Sequence, residues 1–416
     1  MNKVKYLVLG GGVSGLSFAN FVEDDYIILE KESQPGGYCK TIHKDGFTWD
    51  YAGHFFHFRD KEIESFFKER LGDVRMVEKE KSTNIYIDDS YIDFPFQKNI
   101  HQLSKENFID CIHDLILKEE IENPENFEEM LYSKFGKSIT DLFLKPYNEK
   151  LYAVDLNQLD VDAMGRFFPF ADVKEIVSNF KNTNNDSYNN KFHYPVKGAY
   201  VFIEALLSTL DSNKLKLNES VLDIDIDKKE VTTEHGKISY EYLISSIPLD
   251  KLLNLASIEV EKGILSSNQV LTFNLGFNKP ELIPVGTHWT YIPEKNINFY
   301  RMGYYSNILD ESKLSMYVEL GFKSDEKFDI DIELSNVLEG LKKIGVIDDT
   351  YVLESYEPIV MNPAYVHISK ESEELKNKMF KILESNDVYS IGRYGSWTYC
   401  SIEDNVIQAK KLSGLI

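Results

Sequence analysis

The segment Gly10-Gly11-Gly12-Val13-Ser14-Gly15 follows the apolar run Tyr6-Leu7-Val8-Leu9 and opens a helical pattern. No other stretch limits the fold as tightly. Residues 4–30 read as strand, glycine-rich turn, helix and strand, the opening of a Rossmann-type unit. Gly10, Gly12 and Gly15 permit a tight turn and close backbone approach, and the helix beginning at Val13 and Ser14 points its amides at a pyrophosphate. Glu30 ends the second strand, where a carboxylate binds a ribose hydroxyl pair. An acid there favours an unphosphorylated adenosine ribose, as in FAD or NAD.

At 416 residues the chain exceeds one hydrophobic core, so two or three subdomains are expected. Residues 60–72 have helical period and end at Gly72. Residues 84–93 alternate as a hairpin around Asp88-Asp89. The pattern is mostly helical from 101 to about 180, and a polar, Asn-rich loop at 181–191 is expected to be mobile. Gly198 to Leu210 reads as a helix, followed by strands at Val221–Ile226, Glu230–Thr233 and Tyr242–Ser246. Strand formers cluster at Val270–Phe273, His288–Tyr291, Phe299–Met302 and Met316–Val318. A helix is expected at about 331–344, then a strand at Val388–Ile391 and a helix at 404–413.

The net charge of −22 argues against any broad surface for nucleic acid or anionic lipid. A small anion would need a local basic pocket. The three cysteines, Cys39, Cys111 and Cys400, show no metal or disulfide spacing. No apolar run spans a bilayer and no signal segment is evident, so a cytoplasmic location is expected. Of 46 basic residues only six are arginine. Arg59, Arg70 and Arg75 lie in a charged helical stretch, whereas Arg166, Arg301 and Arg393 have aromatic, low-charge neighbours that suit a ligand-binding guanidinium fork.

Glu30-Lys31, Pro35-Gly36-Gly37-Tyr38 and Gly46 through His54 resemble the glycine-rich segment of the amine-oxidase-like flavoprotein superfamily. That resemblance selects FAD over NAD. Longer segments resemble the UDP-galactopyranose mutase family, its eukaryotic-type branch in particular. They are Ala52-Gly53-His54-Phe55-Phe56-His57, Phe94-Pro95-Phe96-Gln97-Lys98-Asn99-Ile100, Lys145 through Val154, Thr287 through Arg301, and Gly392-Arg393-Tyr394-Gly395-Ser396-Trp397-Thr398-Tyr399. The likeness runs from residue 4 to about 408.

The resemblance implies an α/β fold: a Rossmann-type FAD-binding domain (1–75, 195–265 and 380–416), an inserted helical bundle (100–180), and a mainly antiparallel β-sheet domain (76–99 and 266–379). It implies an isomerase that interconverts pyranose and furanose forms of a UDP-sugar through a covalent adduct at N5 of reduced flavin. NAD(P)H or another reductant would supply electrons. His54, Arg166, Arg301 and Arg393 are the implied catalytic residues. Phe94, Gln97, Tyr152, Asn189, Tyr317 and Tyr399 would join Arg166 and Arg301 on the nucleotide sugar. Gly10, Gly12, Val13, Ser14, Gly15, Glu30, Lys31, Gly36, Gly37, Tyr38, His54, Val221, Gly392, Arg393, Tyr399 and Asn405 would hold FAD. The three arginines are expected to converge beside the flavin, while His57 and His288 read as structural. Tyr152 and Tyr317 suit packing as well as ligand contact.

The chain departs from the family at Met361-Asn362-Pro363-Ala364-Tyr365, which loses a phosphate-binding tyrosine or displaces it to Tyr365. Phe94 replaces a tyrosine and Tyr152 a tryptophan. A dTDP-sugar or an N-acetylated or deoxy sugar therefore fits nearly as well, and a homo-oligomer is compatible with the sequence. Two other readings share the FAD core: an oxidoreductase of the amine or protoporphyrinogen oxidase type, and a scaffold that binds flavin without catalysis.

Overall fold

The computed structural model describes residues 2–23, 25–181, 185 and 191–416. The chain opens with β1 (Asn2–Leu9), α1 (Val13–Phe21) and β2 (Tyr26–Leu29), followed by the hairpin β3 (Thr41–Lys44) and β4 (Phe47–Asp50). Helix α2 (Lys61–Leu71) starts at Asp60, whose side chain accepts from the amides of Glu62 and Ile63, and it stops at Gly72, φ +52°. Strand β5 (Met76–Glu80) leads to the hairpin β6 (Thr83–Ile87) and β7 (Ser90–Asp93). Asp88 and Asp89 turn that hairpin with φ of +51° and +55°, the geometry of a two-residue turn matched to strand twist.

Helices α3 (Phe96–Asn99), α4 (Lys105–Leu117), α5 (Phe127–Ile139), α6 (Lys145–Tyr152) and α7 (Val173–Asn179) form the helical segment. Then come β8 (Lys191–Pro195), α8 (Tyr200–Leu207), β9 (Leu215–Lys216), β10 (Val221–Asp225), β11 (Glu230–Thr233), β12 (Gly236–Ser245) and α9 (Leu249–Leu255). The remainder comprises β13 (Asn268–Phe277), β14 (Trp289–Tyr291), β15 (Arg301–Tyr304), α10 (Tyr305–Leu309), β16 (Ser315–Lys323), α11 (Ile330–Lys343), β17 (Leu353–Met361), α12 (Lys370–Glu384), β18 (Val388–Ser390), α13 (Gly392–Gly395) and α14 (Ile402–Ser413).

The first sheet runs β10-β11-β12-β1-β2-β9, with β18 also on β12. Strand β1 pairs parallel with both β2 and β12. Its side chains alternate between two cores: Tyr6 and Val8 join a cluster with α1, α8 and α14, and Leu7 and Leu9 join one with α9 and α12. Covering on both faces explains why β1 reads as a continuous apolar run.

The second sheet runs β17-β13-β16-β15-β14-β6-β7 and is antiparallel except where β14 meets β6. One face is apolar: Leu271, Phe273, Met302, Met316 and Val318 pack with Val337 and Leu341 of α11. Period-2 alternation sends Thr272, Asn274, Tyr291, Arg301, Tyr317 and Glu319 to the other face. A buried sheet face this polar needs partners, and the candidate site lies on that face.

Each expected element is present with small boundary shifts, the strand near 299–302 being Arg301–Tyr304. Strand β17 and helix α12 occupy stretches with no expectation attached. Most of the loop at 181–191 and all of Asn189 lie outside the described residues, but Lys191 already belongs to β8, paired with β5. Among the described residues no helix is long and apolar enough to cross a membrane.

Candidate active site

The glycine turn packs at the limit of backbone contact: a Cβ on Gly15 would lie 2.1 Å from the Gly10 carbonyl oxygen. Gly12 and Gly37 face each other, and a Cβ on Gly12 would meet only the Gly37 Cα, at 4.0 Å. A Cβ on Gly37 would lie 3.6 Å from the Gly12 Cα, so the two turns approach at backbone distance. Helix α1 begins at Gly12 without a side-chain cap and without an acid in its first turn, so its leading amides are open to an anion.

The buried Glu30 carboxylate is fixed by the amides of Gly11, 2.8 Å, and Glu32, 2.9 Å. The Glu30 carbonyl accepts from Glu219, which brings the start of β10, with Val221, beside this corner. Lys31 is exposed. On the other side Ser14 Oγ donates to Asn405 Oδ1, which also accepts the Arg393 amide at 2.8 Å. The Gly392 amide donates to Gln408. Residues 13–15 and 392–405 thus form one corner, although nearly four hundred positions separate them. Tyr38 lies edge-on to Tyr394, and its hydroxyl accepts the Asn362 amide.

The loop after β4 links the two sheets. Asp50 is fully buried, accepting from Thr41, Tyr194 and the Ala199 amide, and burial lifts its carboxyl to about 6. Its carbonyl accepts from Asn274 of β13. Ala52 takes φ +94°, a left-handed conformation that glycine would adopt without strain. A Cβ on Gly53 would lie 2.4 Å from the Tyr317 hydroxyl, so glycine lets this loop touch the polar sheet face. His54 follows, with Nδ1 3.2 Å from the Ala52 carbonyl. Burial lowers the His54 pKa to about 4, the Ala52 contact opposes this, and the charges of Arg393 and Arg301 reinforce it. The ring is neutral at pH 7.

Arg301 Nη2 lies 2.9 Å from Glu319 Oε1 and 3.4 Å from the Tyr365 hydroxyl. The Arg393 guanidinium sits 5.1 Å from the Tyr365 ring centroid and 4.5 Å from that of Tyr399, and the two rings stack at 5.8 Å. Tyr399 meets Phe167 edge-on at 4.8 Å, and Arg166 covers the Phe167 ring at 4.8 Å. One aromatic chain therefore joins all three arginines. Their settings differ: Arg301 and Arg393 are half-buried. Arg166 is exposed on a 3₁₀ turn and paired with Asp404, which also binds Arg59.

Other expected contacts are mixed in placement. Phe94 packs against Tyr291 with ring centroids 5.0 Å apart. Gln97 is fully buried; its amide donates to the Pro169 carbonyl and its Oε1 has no hydrogen bond. Tyr152 is 1% exposed and lies edge-on to Tyr365, its hydroxyl unpaired in the packed interior. Tyr317 is fully buried, its ring over Gly303. His57 Nδ1 contacts the Lys191 carbonyl at 2.8 Å, and His288 Nδ1 accepts the Ser82 amide at 3.0 Å, both structural ties. Glu319, Asp404 and Lys81 gave no sequence signal, since an isolated charged residue looks alike at a surface and at a site. Alternation along β16 would have placed Glu319 beside Tyr317.

Residues 8–70 match the NAD(P)-binding Rossmann-like domain family. Among solved structures, a reduced UDP-galactopyranose mutase superposes with a TM-score of 0.91 at 24% identity, covering 100% of this chain and 95% of that one. A protoporphyrinogen oxidase, described as putative, from an Exiguobacterium species gives 0.76 at 16% identity, covering 100% and 98%. Cyclohexylamine oxidase from Brevibacterium oxydans gives 0.71 at 11%, covering 99% and 98%. At these identities the likeness is one of fold. The chain has the architecture common to a mutase and to oxidases, a Rossmann-like unit joined to a separate antiparallel sheet.

Proposed function

We propose that this chain is an FAD-dependent nucleotide-sugar mutase, an isomerase exchanging pyranose and furanose forms of a UDP-sugar or a close relative. The single observation carrying this reading is the chain of contacts from Arg301 through Tyr365, Tyr399 and Arg393 to Arg166, next to the glycine turn. The residues fit the cofactor. The open amides of α1 and the side-chain-free backbone at Gly12 and Gly37 suit its pyrophosphate, and Glu30 suits its adenosine ribose. Tyr38, the His54 loop, Gly392, Arg393 and Asn405 would flank the ring system. Reduced FAD, when bound, supplies a nucleophilic nitrogen to the anomeric carbon.

The protein's own task is to stabilise the departing nucleoside diphosphate. Arg301 and Arg393 present forked donors to the phosphates, and Tyr399 adds a hydroxyl. Arg166 guards the rim, where its pairing with Asp404 can be exchanged for a phosphate. Phe94 and Gln97 would receive the base. Neutral His54 orients the sugar through its loop and adds no charge beside the cations. Tyr317 and the buried sheet face exclude water.

An amine or protoporphyrinogen oxidase reading draws on the same fold. It leaves Arg301 and Arg393 beside the reacting centre without a task. The test is to incubate chemically reduced, FAD-loaded protein with UDP-galactopyranose and other UDP- and dTDP-sugars, then look for the furanose isomer by chromatography and NMR. Turnover in the reduced form alone is expected. Equal rates from oxidised protein, or no turnover with any nucleotide sugar, would overturn the reading.

A further inference from the structure

Lys81 stands between β5 and β6 with its backbone pinned: the Ser82 carbonyl accepts the amides of His288 and Trp289, and the Ser82 amide donates to His288 Nδ1. The side chain is half-buried. Its Nζ lies 5.1 Å from the Phe94 ring centroid and 5.8 Å from that of Trp289. Among the described residues no carboxylate pairs with it. Aromatic faces attract an ammonium only weakly compared with the hydration it gives up on burial. In a chain with 68 acidic residues, a half-buried lysine left without one marks a place for an exogenous anion.

The charges around it sharpen the point. Arg301 faces Glu319, and Arg166 faces Asp404, so each of those cations already has a counter-ion. Arg393 donates to the Cys400 carbonyl, 3.3 Å, and no ion pair of the described residues engages it. Among the described residues, neither Lys81 nor Arg393 therefore has a carboxylate counter-ion, and a diphosphate diester bound beside them brings compensating negative charge.

We infer that Lys81 is a further anion-binding residue, contacting the diphosphate of the nucleotide sugar from the Phe94–Trp289 side. This rests on the mutase reading above and adds to it a second cationic wall. Burial, and then the nearby charge of Arg301, lower the Lys81 pKa to about 8. The charge of Lys81 reaches His57, His288 holds the adjoining Ser82 amide, and Lys79, paired with Asp310 at 2.8 Å, lies beside His288. His57 and His288 are lowered to about 4 by burial and stay neutral above pH 7.

The experiment measures UDP binding to the FAD-loaded full chain by calorimetry between pH 7 and pH 9, for wild type, Lys81→Met and Lys81→Arg. At pH 7 Lys81→Met is expected to bind UDP about tenfold more weakly, the loss of one charge-assisted contact. Wild-type affinity should fall as pH rises past about 8, whereas Lys81→Arg should hold its affinity, because guanidinium stays charged. Ionisation of the base is common to both proteins and cancels in that comparison. Affinity for Lys81→Met within twofold of wild type, or identical pH profiles for wild type and Lys81→Arg, would overturn the inference while leaving the mutase reading intact. Wild type that binds no UDP at all would overturn the mutase reading itself. Should Lys81→Met fail to fold, the Lys81→Arg profile decides.

Discussion

Arg301 and Glu319 sit directly opposite each other on adjacent antiparallel strands, and the guanidinium that pairs with the Glu319 carboxylate also reaches the Tyr365 hydroxyl. Glu319 is 2% exposed, so the pair is held in the sheet interior, with one edge of the guanidinium left for a ligand. The carboxylate fixes the fork in place before any substrate arrives, which is how a preorganised donor differs from a mobile surface charge. Arg301→Lys keeps the charge and loses the fork. We expect kcat/KM for the proposed sugar exchange to fall by about 100-fold or more, with FAD content unchanged. Equal losses of activity and flavin would remove Arg301 from the phosphate site.

Gly12→Ala separates fold from cofactor. Gly12 has φ −81°, ordinary for any residue, and an added Cβ meets nothing closer than 4.0 Å. As apoproteins the variant and wild type should melt within a few degrees of each other, yet the variant should retain far less FAD, because on the proposed placement the methyl group crowds the pyrophosphate. Flavin absorbance per chain and a thermal melt together check this. Full FAD occupancy in the variant would contradict the placement of the cofactor.

Gly53 and Tyr317 are expected to be coupled. Gly53→Ala places a Cβ 2.4 Å from the Tyr317 hydroxyl and 2.5 Å from the Phe55 ring, so the loop carrying His54 must shift. Overpacking of this kind costs about 1–3 kcal/mol. Tyr317→Phe removes the nearest atom, so the double variant should recover part of that loss in urea unfolding. Strictly additive effects would show that the two residues do not touch in solution.

Acid should unfold the protein earlier than its carboxylates require. His54, His57 and His288 are each lowered by burial from about 6.5 to about 4. Below 6.5 the unfolded chain binds protons at these rings and the folded chain does not, so stability falls as pH drops from about 6.5 toward about 4. At His288, Nδ1 already accepts the Ser82 amide, so protonation there breaks a contact as well. Urea midpoints measured from pH 7.5 to 4.5 should decline, with up to three protons taken up at these rings on unfolding and one released by Asp50, whose buried carboxyl is raised to about 6. A flat profile would contradict the buried neutral rings.

The Rossmann opening was readable because its evidence is local. An apolar strand, a glycine turn, a helix and Glu30 lie within thirty residues, and each constrains the backbone of its neighbours. The hairpin at Asp88-Asp89 was readable for the same reason. Strand β17 was not: its apolar residues are interrupted by Ser355 and Glu357, and its pairing with β13 comes from a segment about eighty positions away. The arginines were singled out by rarity and by their aromatic neighbours in sequence, yet those neighbours are not all the aromatics they touch. Arg393 sits over Tyr365, and Arg166 meets Asp404.

What the sequence determined by itself was the nucleotide-binding start, the strand-forming segments of the second sheet, and a short roster of arginines. These follow from backbone geometry and side-chain period, which act over a few residues. Only the tertiary structure decided which charges meet: Glu319 with Arg301, Asp404 with Arg166, and Lys81 facing two aromatic rings with no carboxylate partner among the described residues. Counter-ion choice is a long-range outcome, settled by which strands and helices are brought together, because Coulomb attraction and burial act through space and are blind to distance along the chain.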